Sequence, residues 1–374
     1  MEYAAFLSER CRAVESSGIR RFFDRAARAV NPVDLSIGQP DYDADDAVRD
    51  AAIDALREGL NRYTPSAGIP QLRQAVARQV SAEYPGWDPS VLITSGVSGG
   101  LVLALMATIN PGDEVIFLDP YFVSYVQLVR MIGGVPRPVS AYPDFAFPAE
   151  AVERAITRRT RVLLLNSPAN PTGRVMTPAE MKAACDLAKR HNLLIVADEI
   201  YKRLTFDGIN PCPATHAPER TIVLGGFGKT YGVTGWRMAY VAAPEPLIDS
   251  MIKLQQYTFV CAPTPFQHAI LRSLEVDVSH HCRDYAAKRD LAYQALKDAF
   301  QVTRPGGGFY LFPKIPARFK NASDFCEAAA DKEVFVIPGC IFSGQDTHFR
   351  VSFATSDENL RRGCAILSSL AGGA

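Results

Sequence analysis

The segment Leu193–Tyr201, which reads LLIVADEIY, decides how the chain around it folds. Its first five residues are all apolar, which predicts a strand covered on both faces of a sheet, because a half-exposed strand would alternate apolar and polar residues. In open α/β sheets, ligands bind at the carboxyl ends of the strands. Asp198 and Tyr201 therefore become candidates for a ligand site. For Asp198 alone, a solvated acid that caps the next turn is the simpler interpretation.

Outward from this strand, short apolar strands alternate with helical stretches. The predicted strands are Val91–Thr94, Val115–Leu118, Val162–Leu165, Leu193–Ala197, Thr221–Leu224 and Met238–Ala242. The predicted helices are Asp45–Glu58, Ile69–Tyr84, Gly99–Ile109, Tyr121–Met131, Pro148–Thr157, Pro178–His191 and His281–Phe300. Such alternation predicts an α/β fold with a mostly parallel sheet. We expect a large domain at residues 36–280 and a smaller α/β domain. The smaller domain would consist of residues 1–35, which form a helix-rich arm, together with residues 281–374.

Composition excludes several classes of protein. Lys plus Arg and Asp plus Glu both number 40 in the 374 residues, so no basic excess favours nucleic acid. The longest apolar runs, such as Leu101–Ile109, are far shorter than the ~20 residues of a membrane span. The first residues lack the basic and apolar regions of a secretory signal. Eight cysteines without a Cys-x-x-Cys pair indicate reduced thiols and a cytoplasmic location.

The run His280-His281-Cys282 is the one sequence feature that suggests a metal site. Adjacent side chains on a helix or strand point in different directions, so we expect no shared metal ion there. The sequence therefore predicts no metal.

Two further strands deliver polar side chains to the same sheet edge. The strand Val162–Leu165 runs into NSPANPTG (166–173), which contains Asn170 and alone indicates a tight loop. The strand Thr221–Leu224 runs into GGFGKTY (225–231), which places Lys229 among glycines. A lysine desolvated beside a cleft has a lowered pKa and a nucleophilic amine. A Walker phosphate loop is excluded, because Val223 stands where that motif requires glycine.

Two more features point to anion recognition. Residues 94–100 (TSGVSGG) lead into an apolar helix, whose free N–H groups at Gly96, Val97 and Ser98 would suit a phosphate. The alternative is an ordinary strand-to-helix turn with Ser98 as the N-cap. Arg350 lies in the alternating segment 347–353 (THFRVSF) and its planar fork would suit a carboxylate. The alternative is a surface arginine on an edge strand.

Each of these signals is weak alone, but their order and spacing together are specific. The sequence resembles the class I/II aminotransferases, enzymes of the aspartate aminotransferase superfamily that use pyridoxal phosphate (PLP) and have fold type I. The resemblance covers nearly the whole chain, from Leu35–Asp41 to the C-terminal helix. It is carried by Asn-Pro-Thr-Gly, Asp-x-x-Tyr, the glycine-flanked lysine, the following arginine and Phe-Arg-Val-Ser-Phe, with further matches at 61–68, 119–122 and 307–310.

The resemblance implies a role for each candidate around the cofactor ring. Lys229 would form the Schiff base with PLP and later shuttle the Cα proton of the substrate. Asp198 would keep the pyridine nitrogen protonated. Tyr201 and Asn170 would hydrogen-bond the 3-oxygen of the ring, and Phe122 would stack on its face.

The resemblance also implies how phosphate and substrate are held. Arg350 would bind the substrate α-carboxylate, helped by Gly38 and Asn170. Tyr63 would reach the phosphate bound by the partner subunit of a homodimer. The phosphate of the same subunit would lie against Gly96, Val97, Ser98 and Arg237.

The activity implied is transfer of an amino group from an L-amino acid, aspartate-like or general, to a 2-oxo acid by a ping-pong mechanism. The alternative is β-elimination, cyclisation, decarboxylation or oxidation of an amino acid on the same scaffold. Gly226 and Gly228 depart from the family, which often has serine at both positions. Arg20 and Arg21 could supply a second cation for a dicarboxylate, although a solvated helix face is the simpler interpretation. A substrate pocket lined by the aromatic rings of Tyr121, Phe122 and Tyr125 is also possible.

Overall fold

A computed structural model describes residues 3–16, 18, 26 and 29–372. The strands are β1 (Val33–Asp34), β2 (Ser90–Ser95), β3 (Glu114–Asp119), β4 (Val135–Ser140), β5 (Thr160–Asn166), β6 (Leu194–Asp198), β7 (Thr221–Gly226), β8 (Met238–Ala243), β9 (Tyr310–Leu311), β10 (Val334–Phe335), β11 (Ile337–Pro338) and β12 (Phe349–Ser352). The helices are α1 (Glu9–Ala13), α2 (Asp46–Arg57), α3 (Pro70–Glu83), α4 (Gly96–Thr108), α5 (Ser124–Ile132), α6 (Ala149–Ala155), α7 (Pro178–Arg190), α8 (Glu245–Tyr257), α9 (Thr264–Ser273), α10 (Ser279–Leu296), α11 (Ala322–Ala330) and α12 (Asp357–Gly372).

The central sheet has the strand order β2-β8-β7-β6-β5-β3-β4. Strands β7, β6, β5, β3 and β4 run parallel to their neighbours, whereas β8 is antiparallel to both β2 and β7. The mostly parallel sheet that the sequence predicts is confirmed. All five parallel strands therefore end at the same edge, which is where the polar candidates follow them.

Both faces of this sheet are covered, as the uninterrupted apolar strands require. Leu163 and Leu165 of β5 belong to one buried cluster with Met181 of helix α7. Leu164, between them, belongs to another cluster with Leu105 of helix α4. Because successive side chains of a strand point to opposite faces, a strand between two helical layers must be apolar throughout.

Smaller sheets form beside the central one. Strands β11, β12 and β9 pair antiparallel, with β12 in the middle. Strand β1 pairs parallel with β10, which joins the segment before residue 36 to the C-terminal part of the chain. This pairing supports our proposal of a large domain at 36–280 and a small domain of 1–35 and 281–374.

Two local predictions need correction. Strand β4 (VPRPVS) was not predicted, because its two prolines remove ladder donors; it is tolerated as the edge strand of the sheet. Helix α4 begins at Gly96, not Gly99, and its N-cap is Ser95. Ser98 is therefore inside the first turn, and the alternative that made it an ordinary N-cap is wrong.

Much of the predicted N-terminal arm lies outside the described residues, and so do Arg20 and Arg21. The described parts of the arm include a 3-10 turn at Tyr3–Phe6 and helix α1. Among the helices of the described chain, none combines the length and apolarity needed to cross a membrane.

Replacing Leu164 by Ala should remove a fully buried side chain from the centre of the sheet. We expect the free energy of unfolding to fall by about 2–5 kcal/mol, because the lost transfer energy adds to that of a cavity. Urea denaturation followed by circular dichroism measures the change. Leu56→Ala, at an exposed position on helix α2, is the matched control and should change it by less than about 0.5 kcal/mol.

Candidate active site

The carboxyl edge of the sheet opens into a cavity of about 410 Å³. Eleven candidates line this one cavity. Ten of them come from six separate stretches of the chain, and Gly38 comes from the segment before helix α2. The candidates that line it are Gly38, Gly96, Val97, Ser98, Phe122, Asn170, Asp198, Tyr201, Lys229, Arg237 and Arg350.

Asp198 is the last residue of β6 and is only 4 % exposed. The Tyr125 hydroxyl donates to its Oδ2 at 2.7 Å, and the Ile200 backbone N–H donates to Oδ1 at 3.2 Å. Burial raises the pKa of Asp198 to about 6, against the opposing effect of these two hydrogen bonds. A cationic partner would therefore stabilise its carboxylate in this site.

Lys229 lies in the turn after β7, and its side chain enters the cavity. Its Nζ donates to the Gly38 carbonyl oxygen. Burial, followed by the charges of Arg350 and Arg237, lowers the pKa of Lys229 to about 7. Near neutral pH a large fraction of this amine is thus unprotonated, which makes it both a nucleophile and a proton carrier.

An anion cradle lies where β2 runs into α4. Gly96, Val97 and Ser98 form the first turn of this helix, and its N-cap Ser95 makes no side-chain capping hydrogen bond. Three backbone donors are thus left without an intrahelical partner. The Arg237 guanidinium lies over Gly96, where an added Cβ would stand 2.3 Å from Nη2. Glycine is needed there, and its φ of 74° also favours it.

Arg350 lies in the middle strand of the three-stranded sheet and is 1 % exposed, so the alternative of a surface arginine is wrong. Its Nη1 donates to Asn170 Oδ1 at 3.1 Å, and its Nη2 donates to the Ser36 carbonyl at 2.7 Å. Its guanidinium lies between the rings of Tyr310 and Phe342, with centroids 4.5 and 4.7 Å away. Among the described residues these hydrogen-bond partners are neutral, which leaves the charge available to an anionic ligand.

Aromatic rings form the remaining walls. Phe122 contacts Tyr125 edge-on with centroids 5.6 Å apart. Tyr201 is buried, and its hydroxyl lies 3.1 Å from the hydroxyl of Tyr310. The rings of Phe122 and Tyr201 face the cavity. The site thus combines apolar walls with a limited set of polar groups, as small-molecule sites usually do.

Three tyrosines support this site in ways that the sequence did not predict: Tyr42 and Tyr310 had no predicted role, and Tyr125 was expected only as a possible wall of an aromatic pocket. Tyr125 donates to Asp198, Tyr310 contacts both Tyr201 and Arg350, and the Tyr42 hydroxyl donates to the Lys229 backbone carbonyl. Tyr42 and Tyr310 lie in or beside the segments that carry the family resemblance. Their position in the sequence could therefore have marked them as residues of the site. Tyr125 lies in the first turn of α5, three residues after Phe122, and its backbone N–H donates to the Phe122 carbonyl at 3.0 Å.

Gly226 and Gly228 have close neighbours in place of the hydroxyls common in the family. A Cβ at position 226 would stand 2.3 Å from Ile200 Cδ1 and 3.0 Å from Val97 Cγ2. A Cβ at position 228 would stand 3.2 Å from Thr234 Cα. Ile200 therefore occupies the space that a serine at 226 would use.

Tyr63 does not line the cavity of its own chain; it is 85 % exposed. Neighbouring backbone fixes its position, since Thr264 Oγ1 donates to the Arg62 carbonyl at 2.7 Å. An exposed aromatic on a fixed loop is available to a second molecule.

The comparisons with known proteins agree on one family. The model of the aminotransferase class I and II family matches residues 30–367. The chain is 38 % identical to a putative aminotransferase, YugH, of Bacillus subtilis, with 96 % of both chains covered. It is 34 % identical to aromatic-amino-acid aminotransferase 2 of Thermococcus litoralis, with 95 % of both covered. Among solved structures, the aspartate aminotransferase of Thermus thermophilus with maleate superposes with a TM-score of 0.93 at 34 % identity, covering 97 % of this chain and 99 % of that one.

The low pKa of Lys229 predicts unusual reactivity in the cofactor-free protein. Competitive acetylation across pH, followed by mass spectrometry of the Lys229 peptide, should show a midpoint near pH 7. The urea-unfolded chain is the control, in which the same lysine should titrate near 10.4. In Arg350→Gln the midpoint should move upward, because a charge that disfavours the protonated amine is removed. A folded-state midpoint near 10 would contradict the assignment.

Proposed function

This chain belongs to the class I and II aminotransferases, and we propose that Lys229, Asp198 and Arg350 carry the reaction that the family performs. The family has the PLP-dependent fold type I, so the fold class that the resemblance implies is confirmed. The protein transfers amino groups between amino acids and 2-oxo acids with PLP as its cofactor. The observation that carries our residue assignment is a desolvated lysine in the same cavity as a buried arginine with neutral partners.

The residues of the cavity fit PLP at both ends of the cofactor. The first turn of α4 and Arg237 supply donors and positive charge for a phosphate. The buried Asp198 carboxylate, which lacks a cationic partner among the described residues, suits a protonated pyridine nitrogen. Tyr201 and Asn170 would reach the ring oxygen, and Phe122 would cover one ring face. Polar groups of the right charge thus stand at each end of an otherwise apolar cavity.

Bound PLP supplies an electron sink that makes the Cα proton of an amino acid acidic. Lys229 would accept that proton at Nζ and later return it, a task for which a pKa near 7 suits both directions. Asp198 would hold the ring nitrogen in its protonated form by charge, with Tyr125 fixing the carboxylate. The aromatic walls would limit access of water to the reacting carbon.

Arg350 would bind the α-carboxylate of the substrate. Tyr310, Phe342, Asn170 and Ser36 hold its guanidinium in place before substrate arrives, so little side-chain entropy is lost on binding. Gly38, whose carbonyl contacts Lys229 Nζ, lies beside it; an added Cβ there would stand 4.0 Å from Arg350 Nη2. The same Cβ would stand 3.2 Å from the Tyr310 hydroxyl oxygen, so a side chain at 38 would crowd the space beside Arg350.

We propose that the donor is an L-amino acid of the aspartate-like or general kind. Three of the described residues that line the cavity are cations, namely Lys229, Arg237 and Arg350, and each already has a proposed role. A distal carboxylate would therefore be held by neutral groups such as Gln39. The apolar lining also suits an aromatic side chain, and the similarity to both aspartate and aromatic aminotransferases supports a broad donor range.

A half-reaction screen tests the activity and its donor. The visible band of the bound cofactor should disappear with aspartate or phenylalanine and return when a 2-oxo acid is added. Lys229→Ala should abolish the conversion. Arg350→Leu should lower kcat/KM by at least about thirtyfold, because a desolvated charge pair is lost, while the band of the bound cofactor remains. Release of ammonia with no recovery by a 2-oxo acid would favour elimination chemistry instead.

We further propose that the protein acts as a homodimer in which Tyr63 completes the partner's phosphate site. The end of helix α8 and the segment that follows it expose the apolar side chains of Tyr257, Phe259 and Val260. Phe259 approaches the first turns of α4, since an added Cβ at Gly99 would stand 3.7 Å from its ring. A second copy seated on this face would lie next to the anion cradle.

Tyr63→Phe should raise the dissociation constant for PLP by about tenfold, because one hydrogen bond to a charged group is worth about 1.5 kcal/mol. Fluorescence titration of the cofactor-free protein with PLP measures this change. Tyr3→Phe, at another highly exposed tyrosine, is the matched control. Unchanged affinity in Tyr63→Phe, or a monomer by sedimentation, would contradict the shared site.

We propose a cytoplasmic location. The eight cysteines are free, and four of them are buried without a partner sulfur, as expected of a protein that folds in a reducing compartment.

A further inference from the structure

Two histidines and a carboxylate meet outside the active-site cavity. His280 Nε2 and His281 Nε2 lie 3.6 and 3.4 Å from the same oxygen of Asp45, Oδ1. One ligand atom from each of the three residues lies within 4.8 Å of the other two. We call Asp45, His280 and His281 the histidine cluster. It joins the start of helix α2 to the start of helix α10.

Adjacent side chains on a helix point in different directions, yet both histidine rings here approach the same carboxylate oxygen. His280 and His281 are the second and third residues of α10, and their ring centroids are 3.9 Å apart. Side chains on a helix lean toward its N-terminus, so two rings in the first turn can both extend beyond the helix end. Asp45 lies at that end. The tilt along the helix axis thus brings together two rings that direction around the axis would separate.

Two polar groups of the cluster lack the hydrogen bonds that their positions would lead one to expect, which indicates room for a ligand between them. His281 is 8 % exposed, yet its Nε2 has no hydrogen-bond partner within the described chain. Asp45 occupies the N-cap of α2 but makes no capping hydrogen bond with its side chain. An aspartate at this position usually accepts from the helix. Here both groups face each other at distances too long for a good hydrogen bond.

We propose that Asp45, His280 and His281 bind a divalent zinc-type cation, with water as the fourth ligand. Zinc binds histidine nitrogen and carboxylate oxygen at about 2.0–2.1 Å, so neighbouring ligand atoms of a tetrahedron stand about 3.3 Å apart. The two distances from Asp45 Oδ1 are close to this edge length. Rotation of His280, whose side chain is 42 % exposed, can bring the third edge to the same length.

The surroundings of the cluster favour a rigid site. The Tyr42 ring stacks on His281 with a centroid distance of 3.6 Å and an interplanar angle of 5°. Tyr42 is in turn fixed through its hydroxyl, which donates to the Lys229 carbonyl. A rigid ligand loses less entropy when a metal binds. The bound cation would clamp the segment 41–45, which passes beside the lysine turn, to the start of α10.

Zinc titration by calorimetry tests the proposal on the PLP-loaded protein after EDTA treatment and dialysis. We expect one saturable site per chain. Removal of one ligand in His280→Gln or Asp45→Asn should weaken binding at least tenfold. His191→Gln is the matched control, because His191 also faces a carboxylate, Glu153, at 3.1 Å but has no second histidine there. It should bind zinc as the unaltered protein does.

Cobalt provides a second readout that does not depend on activity. Co²⁺ in a tetrahedral site with nitrogen and oxygen ligands should give visible bands at longer wavelength than the cofactor band, and these should be absent in Asp45→Asn. His280 and Asp45 are partly exposed, so both variants should retain the cofactor band as a sign of intact folding. Absence of saturable zinc binding, or equal binding in all three variants, would overturn the proposal and leave the transferase assignment untouched.

Discussion

Parallel strands must end at the same edge of a sheet, and the functional part of this protein depends on that constraint. Strands β5, β6 and β7 are neighbours in the sheet, and each has a polar group of the cavity at or shortly after its carboxyl end: Asn170, Asp198 and Lys229. Apolar residues on both faces fix the register of these strands, because any slip would unpack two helical layers at once. The chemistry of the cavity is therefore positioned by the packing of residues that never touch a ligand.

The same burial that positions these groups makes their charges unfavourable. The pKa values of Asp198 and Lys229 shift in opposite directions. The pKa of the carboxyl rises to about 6 and the pKa of the amine falls to about 7, and burial is the largest cause of both shifts. Each shift arises because the charged form of the side chain is poorly solvated without a partner. PLP and an amino acid would supply counter-charges to Asp198, Arg237 and Arg350. The site thus gains stability from its ligands, as a preorganised polar site in an apolar cavity should.

Much of the fold and most of the site could be predicted from the sequence, and the failures have identifiable causes. Strands covered on both faces are uninterrupted apolar runs, so six of the seven central strands are predictable from the sequence. Strand β4 is not, because its prolines are compatible only with an edge strand and the sequence does not show which strand lies at the edge. Asn170, Asp198 and Lys229 follow strands and were found by that rule. The sequence suggests Tyr125 only as a possible aromatic wall, because its hydrogen bond to Asp198 joins residues 73 positions apart.

The histidine cluster shows the limit of arguments from local geometry. Direction around a helix axis separates adjacent residues, but at the first turn the tilt along the axis decides what they reach. That tilt brings the two histidine rings to Asp45 only because the start of helix α2 lies beside the start of helix α10. The tertiary fold creates this proximity. Tyr42 contacts His281 on one side and donates to the backbone of Lys229 on the other. The segment between Gly38 and Asp45 therefore connects the catalytic turn to the cluster through stacked and hydrogen-bonded groups, with no need for a flexible element between them.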